Sequence, residues 1–258
     1  MNRGSYSPCF KKVSKIRLDK FLSNLGFGSR KEVKKLIKQK RVRVNDTIIN
    51  NPAAHINPEK DIVYVDEEPV TYQKHYYFMF NKPSGYITAT EDKDYPTVME
   101  FFEEVPVYKR LFPIGRLDID TEGLLIITDD GQLGHRLAHP KWEIEKEYYA
   151  VVKGDVSDID FSKYEKSGIK LKDYQTKPFK VKVISTSPEK SEILITVKEG
   201  KYHIVKRIME ALGHPVLYLK RVRIGNLKLD PHLKEGEFRE LTPEEIKNLK
   251  RLVNLEQD

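Results

Sequence analysis

The densest run of chemistry-bearing side chains is Gly115-Arg116-Leu117-Asp118-Ile119-Asp120-Thr121-Glu122-Gly123, three carboxylates and an arginine between glycines. The apolar run Leu124 to Thr128 follows it. The charged groups therefore stand at the mouth of a strand, where a loop can present them. Glycines at both ends suit a tight backbone path. Asp118 and Asp120 share a face if the segment is extended, which would suit the acid pair of a glycosidase. The plainer readings are acids that cap turns, and one acid buried with the other in solvent.

Other candidates are weaker. His135 and His139 have helical spacing, but the glutamate of a zinc-protease motif is missing and no third ligand is evident. They read as ordinary polar or nucleic-acid-contacting residues. Gly26-Phe27-Gly28 is a fragment of a phosphate loop without its Lys-Ser/Thr pair, and no Rossmann glycine pattern follows a strand. That weighs against a nucleotide-cofactor enzyme. The single cysteine, Cys9, excludes an internal disulfide and a Cys-rich zinc site. Residues 201–228 are different: seven Lys/Arg (Lys201, Lys206, Arg207, Lys220, Arg221, Arg223, Lys228) face one acid, Glu210. Tyr202, His203 and Tyr218 are interleaved, and cations with aromatics suit phosphates and bases.

The elements that must position these groups are readable in outline. Leu18, Phe21, Leu22 and Leu25 keep the i, i+3, i+4, i+7 spacing of a short amphipathic helix. Ser29 with Glu32 is a capping box that opens a second helix, with Val33, Leu36 and Ile37 on its apolar face. Arg30, Lys31, Lys34, Lys35 and Lys38 fall on the other side. Val42 and Val44, Ile48, and Ile62 to Val65 read as strands. Asp66 to Lys74 is acidic, carries Pro69 and lacks periodicity, which predicts a linker. Beyond it, Tyr76 to Phe80, Leu124 to Thr128, Tyr148 to Val152, Phe179 to Ile184, Ile193 to Val197, Val216 to Ile224 and Leu227 to Leu229 read as strands. Gln132 to Ala138, Tyr202 to Leu212 and a segment capped at Thr242-Pro243 read as helices. Strands and helices do not alternate, so the expected class is α+β with a mixed, mostly antiparallel sheet.

Charge divides the chain at the same place. Residues 1–74 hold 16 Lys/Arg and 8 Asp/Glu; residues 75–258 hold 30 and 31. The positive excess lies wholly in the first part, as in a delivery module for a polyanion, with nucleic acid the leading choice and an acidic membrane surface the second. No apolar run reaches the ~18 residues of a membrane span, and the start lacks a secretory signal. A soluble, cytoplasmic protein is expected.

Taken together, the motifs carry a resemblance. Gly115-Arg116-Leu117-Asp118-x-Asp120-Thr121-x-Gly123-Leu124-Leu125, followed by Thr128-Asp129-Asp130-Gly131, resembles the catalytic motif of pseudouridine synthases of the RsuA type, which act on ribosomal RNA. Lys82-Pro83-x-Gly85, Lys146-Glu147-Tyr148 and Glu199-Gly200-Lys201-Tyr202-His203-x-Val205-Lys206-Arg207 resemble the family's other motifs, in its order. Arg17 to Asn45 resembles the RNA-binding module first seen in ribosomal small-subunit protein four. The likeness covers roughly residues 15–250.

The resemblance implies four segments: a flexible basic arm (1–14), the RNA-binding module (15–65), a linker (66–75) and a catalytic domain (76–254). It implies isomerisation of a uridine in RNA to pseudouridine. Substrate and product are isomers, so no redox cofactor, ATP or metal is expected. Asp118 aligns with the essential aspartate, which attacks the sugar C1′ or removes a sugar proton. Lys206 is then the cation that keeps it ionised, Tyr148 the ring that stacks on the target base, and Arg116 the side chain that fills the vacated space. Lys20, Ser29, Arg30, Lys34 and Lys38 are the candidates for RNA contact. Ile204 stands where the family usually has glutamine. Lys201-Tyr202-His203 resembles the small-subunit branch, whereas large-subunit relatives more often show Arg-Asn-Arg. The expected partner is small-subunit ribosomal RNA, free or in an assembling particle, for a chain that acts as a monomer. Large-subunit RNA and a non-catalytic assembly factor are the alternatives.

Overall fold

A computed structural model describes residues 15–70 and 75–255. The arm expected over 1–14 lies outside the described residues, as do positions 71–74 of the expected linker. The chain divides into two compact units, residues 1–74 and 75–258.

The first unit packs two helices on a small sheet. Its elements are β1 (Ile16–Arg17), α1 (Leu18–Asn24), α2 (Arg30–Lys38), β2 (Val42–Val44), β3 (Thr47–Ile48), β4 (His55–Ile56), β5 (Val63–Val65) and β6 (Glu68–Pro69). The capping box at Ser29 is complete: its hydroxyl accepts from the Glu32 amide, while the Glu32 side chain accepts from the Ser29 amide. Helix periodicity meets strand alternation in one core, where Leu18, Phe21, Leu22, Val33 and Ile37 close over Val42, Val44, Val63 and Val65.

The linker expectation needs correction at its start. Asp66 and Glu67 form a tight turn with positive φ, and Glu68–Pro69 pairs with Tyr64–Val65 as an edge strand. An edge is where a proline, lacking an amide hydrogen, is tolerated. The acids are also used. Asp66 pairs with Arg41 at 2.5 Å and Glu67 with Arg43 at 3.0 Å.

The second unit is built on β7 (Tyr77–Lys82), β8 (Phe112–Ile114), β9 (Glu122–Thr128), α3 (Gly131–Ala138), β10 (Lys146–Lys153), α4 (Tyr164–Ser167), β11 (Lys180–Thr186), β12 (Lys190–Val197), α5 (Ile204–Ala211), β13 (Val216–Ile224), β14 (Leu227–Lys228), β15 (Phe238–Glu240) and α6 (Pro243–Leu252). Its nine-stranded sheet runs β11-β12-β10-β13-β9-β7-β15, with β14 on β13 and β8 on β9. Only β9 and β13 pair in parallel; every other ladder is antiparallel, so the sheet is mixed and mostly antiparallel. Alternate residues of β7 and β9 feed two cores, which explains their unbroken apolar runs. Phe78, Phe80, Leu125 and Ile127 join Ile204, Val205 and Ile208 of α5 on one side. Met79, Leu124 and Ile126 meet α3 and α6 on the other.

Candidate active site

The Gly115–Thr121 loop enters the central parallel pair. Gly123 is the hinge of that entry: φ is +100°, and a Cβ there would lie 2.2 Å from the Arg221 carbonyl oxygen. Only glycine satisfies both demands.

The loop is held from below by the Lys82-Pro83-x-Gly85 segment. Lys82 is fully buried. Its Nζ donates to the carbonyls of Pro83 (3.0 Å), Ile119 (3.2 Å) and Thr121 (2.8 Å). The Gly85 amide donates to the Ile119 carbonyl at 2.8 Å. The Thr88 hydroxyl donates to the Leu117 carbonyl at 2.9 Å. Burial pushes the Lys82 amine down to about 8, against the pull of Asp120, Glu122 and Asp118. The loop that carries the acids is thus pinned on both sides of Asp118 by groups outside it.

Asp118 is 27% exposed and faces α5. Its Oδ2 lies 3.3 Å from Lys206 Nζ and its Oδ1 lies 3.4 Å from His203 Nε2. Both carboxylate oxygens therefore have a nitrogen partner. His203 reaches the acid from a left-handed backbone conformation, φ +51°, just before α5, a conformation uncommon for residues other than glycine. Lys206 is shared. Its shorter contact, 2.7 Å, is with Asp120, which is 64% exposed. Burial alone would lower the Lys206 amine, but its hydrogen bond to Asp120 and the charge of Asp118 raise it above the ordinary lysine value. The same hydrogen bond from Lys206 lowers the Asp120 carboxyl.

Asp118, Arg116, Tyr148 and Lys206 line one cleft of about 240 Å³. That is below the ~300–1,000 Å³ of pockets for drug-sized ligands, and suits a small planar group. Tyr148 is buried on β10, Arg116 is exposed at the loop, and Ile204 contributes an apolar wall where a polar side chain was expected from the resemblance. The downstream acids are structural. Asp130 caps α3 through the Gln132 and Leu133 amides, and Asp129 pairs with Arg110 and with His75.

Four contributors have roles that the sequence does not show: Lys82 and Thr88 as loop supports, His203 as the second partner of Asp118, and Arg221 in the lining of the cleft; Lys82, His203 and Arg221 lie in stretches that the sequence marks, Thr88 in none. For Lys82 the signals are the Lys82-Pro83-x-Gly85 motif and its place after the apolar run Tyr76 to Phe80, since a strand buried on both faces rarely ends in an unpaired cation.

On the first unit, Lys20, Ser29, Arg30, Lys34 and Lys38 are all exposed. Arg30, Lys34 and Lys38 stand four apart along one side of α2, each presenting a cation to solvent. Ser29 differs, because its hydroxyl is engaged with Glu32 at 2.7 Å. Among the described residues no group of three or more His, Cys, Asp or Glu side chains could hold a metal ion, and no helix is long and apolar enough to cross a membrane.

Comparison with known proteins gives this arrangement its context. The family described as RNA pseudouridylate synthase matches residues 76–211, and the S4 domain matches residues 16–63. An uncharacterized RNA pseudouridine synthase of Aquifex aeolicus is 45% identical, covering 92% of this chain and 98% of its own. Ribosomal small subunit pseudouridine synthase A of Escherichia coli is 41% identical, covering 90% of this chain and 98% of its own. The crystal structure of a pseudouridylate synthase superposes with a TM-score of 0.63 at 37% identity, covering 91% of this chain and 99% of that one.

Proposed function

The chain belongs to the RNA pseudouridylate synthase family, and from that premise we propose that it isomerises one uridine of small-subunit ribosomal RNA with Asp118 as the reacting carboxylate. The observation that carries the reading is the Asp118 side chain, held between Lys206 and His203 in a cleft that also contains Tyr148.

The reaction breaks the bond between ring nitrogen N1 and ribose C1′, turns the base, and joins its C5 to C1′. One carboxylate beside the sugar suffices, by attack on C1′ or by removal of a sugar proton. Such a group must act where water is scarce, and the Lys206 ammonium stands 3.3 Å from it. Tyr148 offers its ring to the flipped base, and exposed Arg116 is free to fill the gap left in the RNA, since a guanidinium both stacks and meets phosphate. Flipping costs a few kcal/mol, which phosphate contacts from Lys20, Ser29, Arg30, Lys34 and Lys38 help to offset. Small-subunit RNA as substrate is supported by the name of the Escherichia coli relative and by Lys201-Tyr202-His203 in the late motif. We further propose that the protein works as a monomer in the cytoplasm, on ribosomal RNA within an assembling particle.

The test is a map of pseudouridine in both ribosomal RNAs, with wild-type protein and with Asp118→Asn. The expected result is one small-subunit site, absent with the variant, while fold and RNA affinity are retained. Loss of a large-subunit site would move the substrate to that subunit. Substantial activity in Asp118→Asn would remove Asp118 from its role, and no change in either RNA would leave a binding factor.

A further inference from the structure

Among the described residues, two cations that line the cleft have no carboxylate paired with them. Arg221, on β13, is 2% exposed. Its Nε donates to the Leu124 carbonyl at 2.8 Å, while Nη2 is buried without a partner. Lys146, on β10, donates to the Ile144 carbonyl at 3.1 Å. Among the described residues no carboxylate pairs with either cation. Taking an ion out of water without a counter-charge is costly, and here two of like sign are close enough that Arg221 and burial together push the Lys146 amine down to about 8. A fold that only needed packing at these positions would do better with apolar side chains.

Their placement says what they await. Lys146 and Tyr148 are two apart on one strand and so face the same side. Arg221 stands directly across the ladder from Tyr148. All three line the cleft with Asp118. A base lying on the Tyr148 ring therefore has its edge among these cations while its sugar is offered to Asp118.

We propose that Lys146 and Arg221 hold the negative charge that gathers on the uracil ring when its bond to ribose breaks; this rests on the isomerase reading of the same cleft. The N1–C1′ bond breaks with its electron pair left on the base, spread over N1, O2, O4 and C5. C5 then gives a pair to C1′, the C5 proton leaves to water, and N1 takes up a proton, so nothing is oxidised or reduced. Fixed charges aimed at a developing anion act most strongly where water is excluded. Phosphates are the other anions of the substrate, but they sit beyond the sugar, toward the mouth, where exposed Lys201 and Arg116 stand.

The test uses the full chain and Lys146→Met, with Lys146→Arg as the conservative control. Single-turnover rates of N1–C1′ cleavage are compared on RNA carrying uridine or 5-fluorouridine at the target; the fluorinated ring has no C5 proton to lose, so after C5 joins C1′ it takes up water across N1 and C6. Fluorine at C5 stabilises the departing anion by itself, so the reaction should lean less on the cation. Lys146→Met is expected to lose about 100-fold with uridine, the scale of deleting one such donor, but under about 10-fold with 5-fluorouridine. Lys146→Arg should recover most of the rate, and RNA Kd should not change. Equal losses on both substrates, or a loss confined to Kd, would overturn the proposal. A second measurement does not need turnover. The free base 5-nitrouracil, an anion near neutral pH, should bind wild-type protein about 10-fold more tightly than uncharged thymine, a preference worth about 1.4 kcal/mol, and Lys146→Met should abolish it. No preference, or one that survives in the variant, would also overturn the proposal. A preference without any pseudouridine formation would sink the isomerase reading and leave the anion seat standing.

Discussion

The two units use the same residue types under opposite physical conditions. On α2, Arg30, Lys34 and Lys38 lie in solvent, keep their side-chain freedom and are screened by salt. In the second unit, Lys82, Lys146 and Arg221 are held by backbone carbonyls in or under the cleft. An exposed cation attracts any polyanion and discriminates little, whereas a buried one is fixed in direction and expensive, so its presence points to a specific task. On the proposed reading affinity and chemistry fall to different units, and removing one should leave the other.

The sharpest way to break that separation is at Lys82. Lys82→Met leaves the Pro83 and Thr121 carbonyls without their donor, while the Ile119 carbonyl keeps the Gly85 amide, and each buried orphan costs about 1–3 kcal/mol. Stability should fall by about 3–5 kcal/mol in denaturant melts, with turnover lost alongside it. The variant also has a pH signature. Unfolded, the lysine keeps its proton up to its ordinary value of 10.5; folded, Lys82 releases it near 8. Between those values the unfolded state binds more protons, so wild-type stability should rise with pH, by up to about 1.4 kcal/mol per unit. Lys82→Met should lose that share of the rise and keep the part from Lys146. Melts of unchanged slope would show that Lys82 is not buried as a cation.

A smaller effect is expected on the other side of the comparison. Changing Arg30, Lys34 and Lys38 together to glutamine should weaken RNA binding about tenfold near physiological salt. It should also reduce the slope of log affinity against log salt by about 2 to 3, the value for three phosphates. Single-turnover rate at saturating RNA should not move; a fall in that rate would mean that the two tasks are not separable. Smallest of all, Ser29→Ala should cost about 1 kcal/mol, the usual value of an N-cap, read as an earlier melt of the first unit. A change in RNA affinity larger than that of the triple variant would make Ser29 a contact in its own right.

What could be read from the sequence was what short range decides. The Ser29–Glu32 box, the α1 and α2 stripes and the apolar run of β9 each depend on neighbours within a turn or a strand. The strands Phe112–Ile114 and Phe238–Glu240 do not show in the sequence because the first carries a proline at its centre and the second has a single apolar residue, so neither displays a strand's apolar alternation. Glu68–Pro69 was read as linker because proline and acids hide an edge strand. At the site, motif order brought Asp118, Lys206, Tyr148 and Arg116 to attention as a group. The part of Lys82 depends on a loop that returns 37 and 39 residues later, and the contact of His203 with Asp118 depends on a left-handed turn. Both residues lie in motifs, but neither contact leaves a local pattern of its own.

The salt links from Asp66 and Glu67 to Arg41 and Arg43 have an effect on encounter. Arg43 stands between the core valines of β2, Arg41 immediately precedes that strand, and both are matched by acids. These two arginines are thereby neutralised, whereas Arg30, Lys34 and Lys38 of α2 stand exposed. In the field of a nucleic acid such a body behaves like a compass needle: torque turns it before anything touches, and the helix flank arrives first.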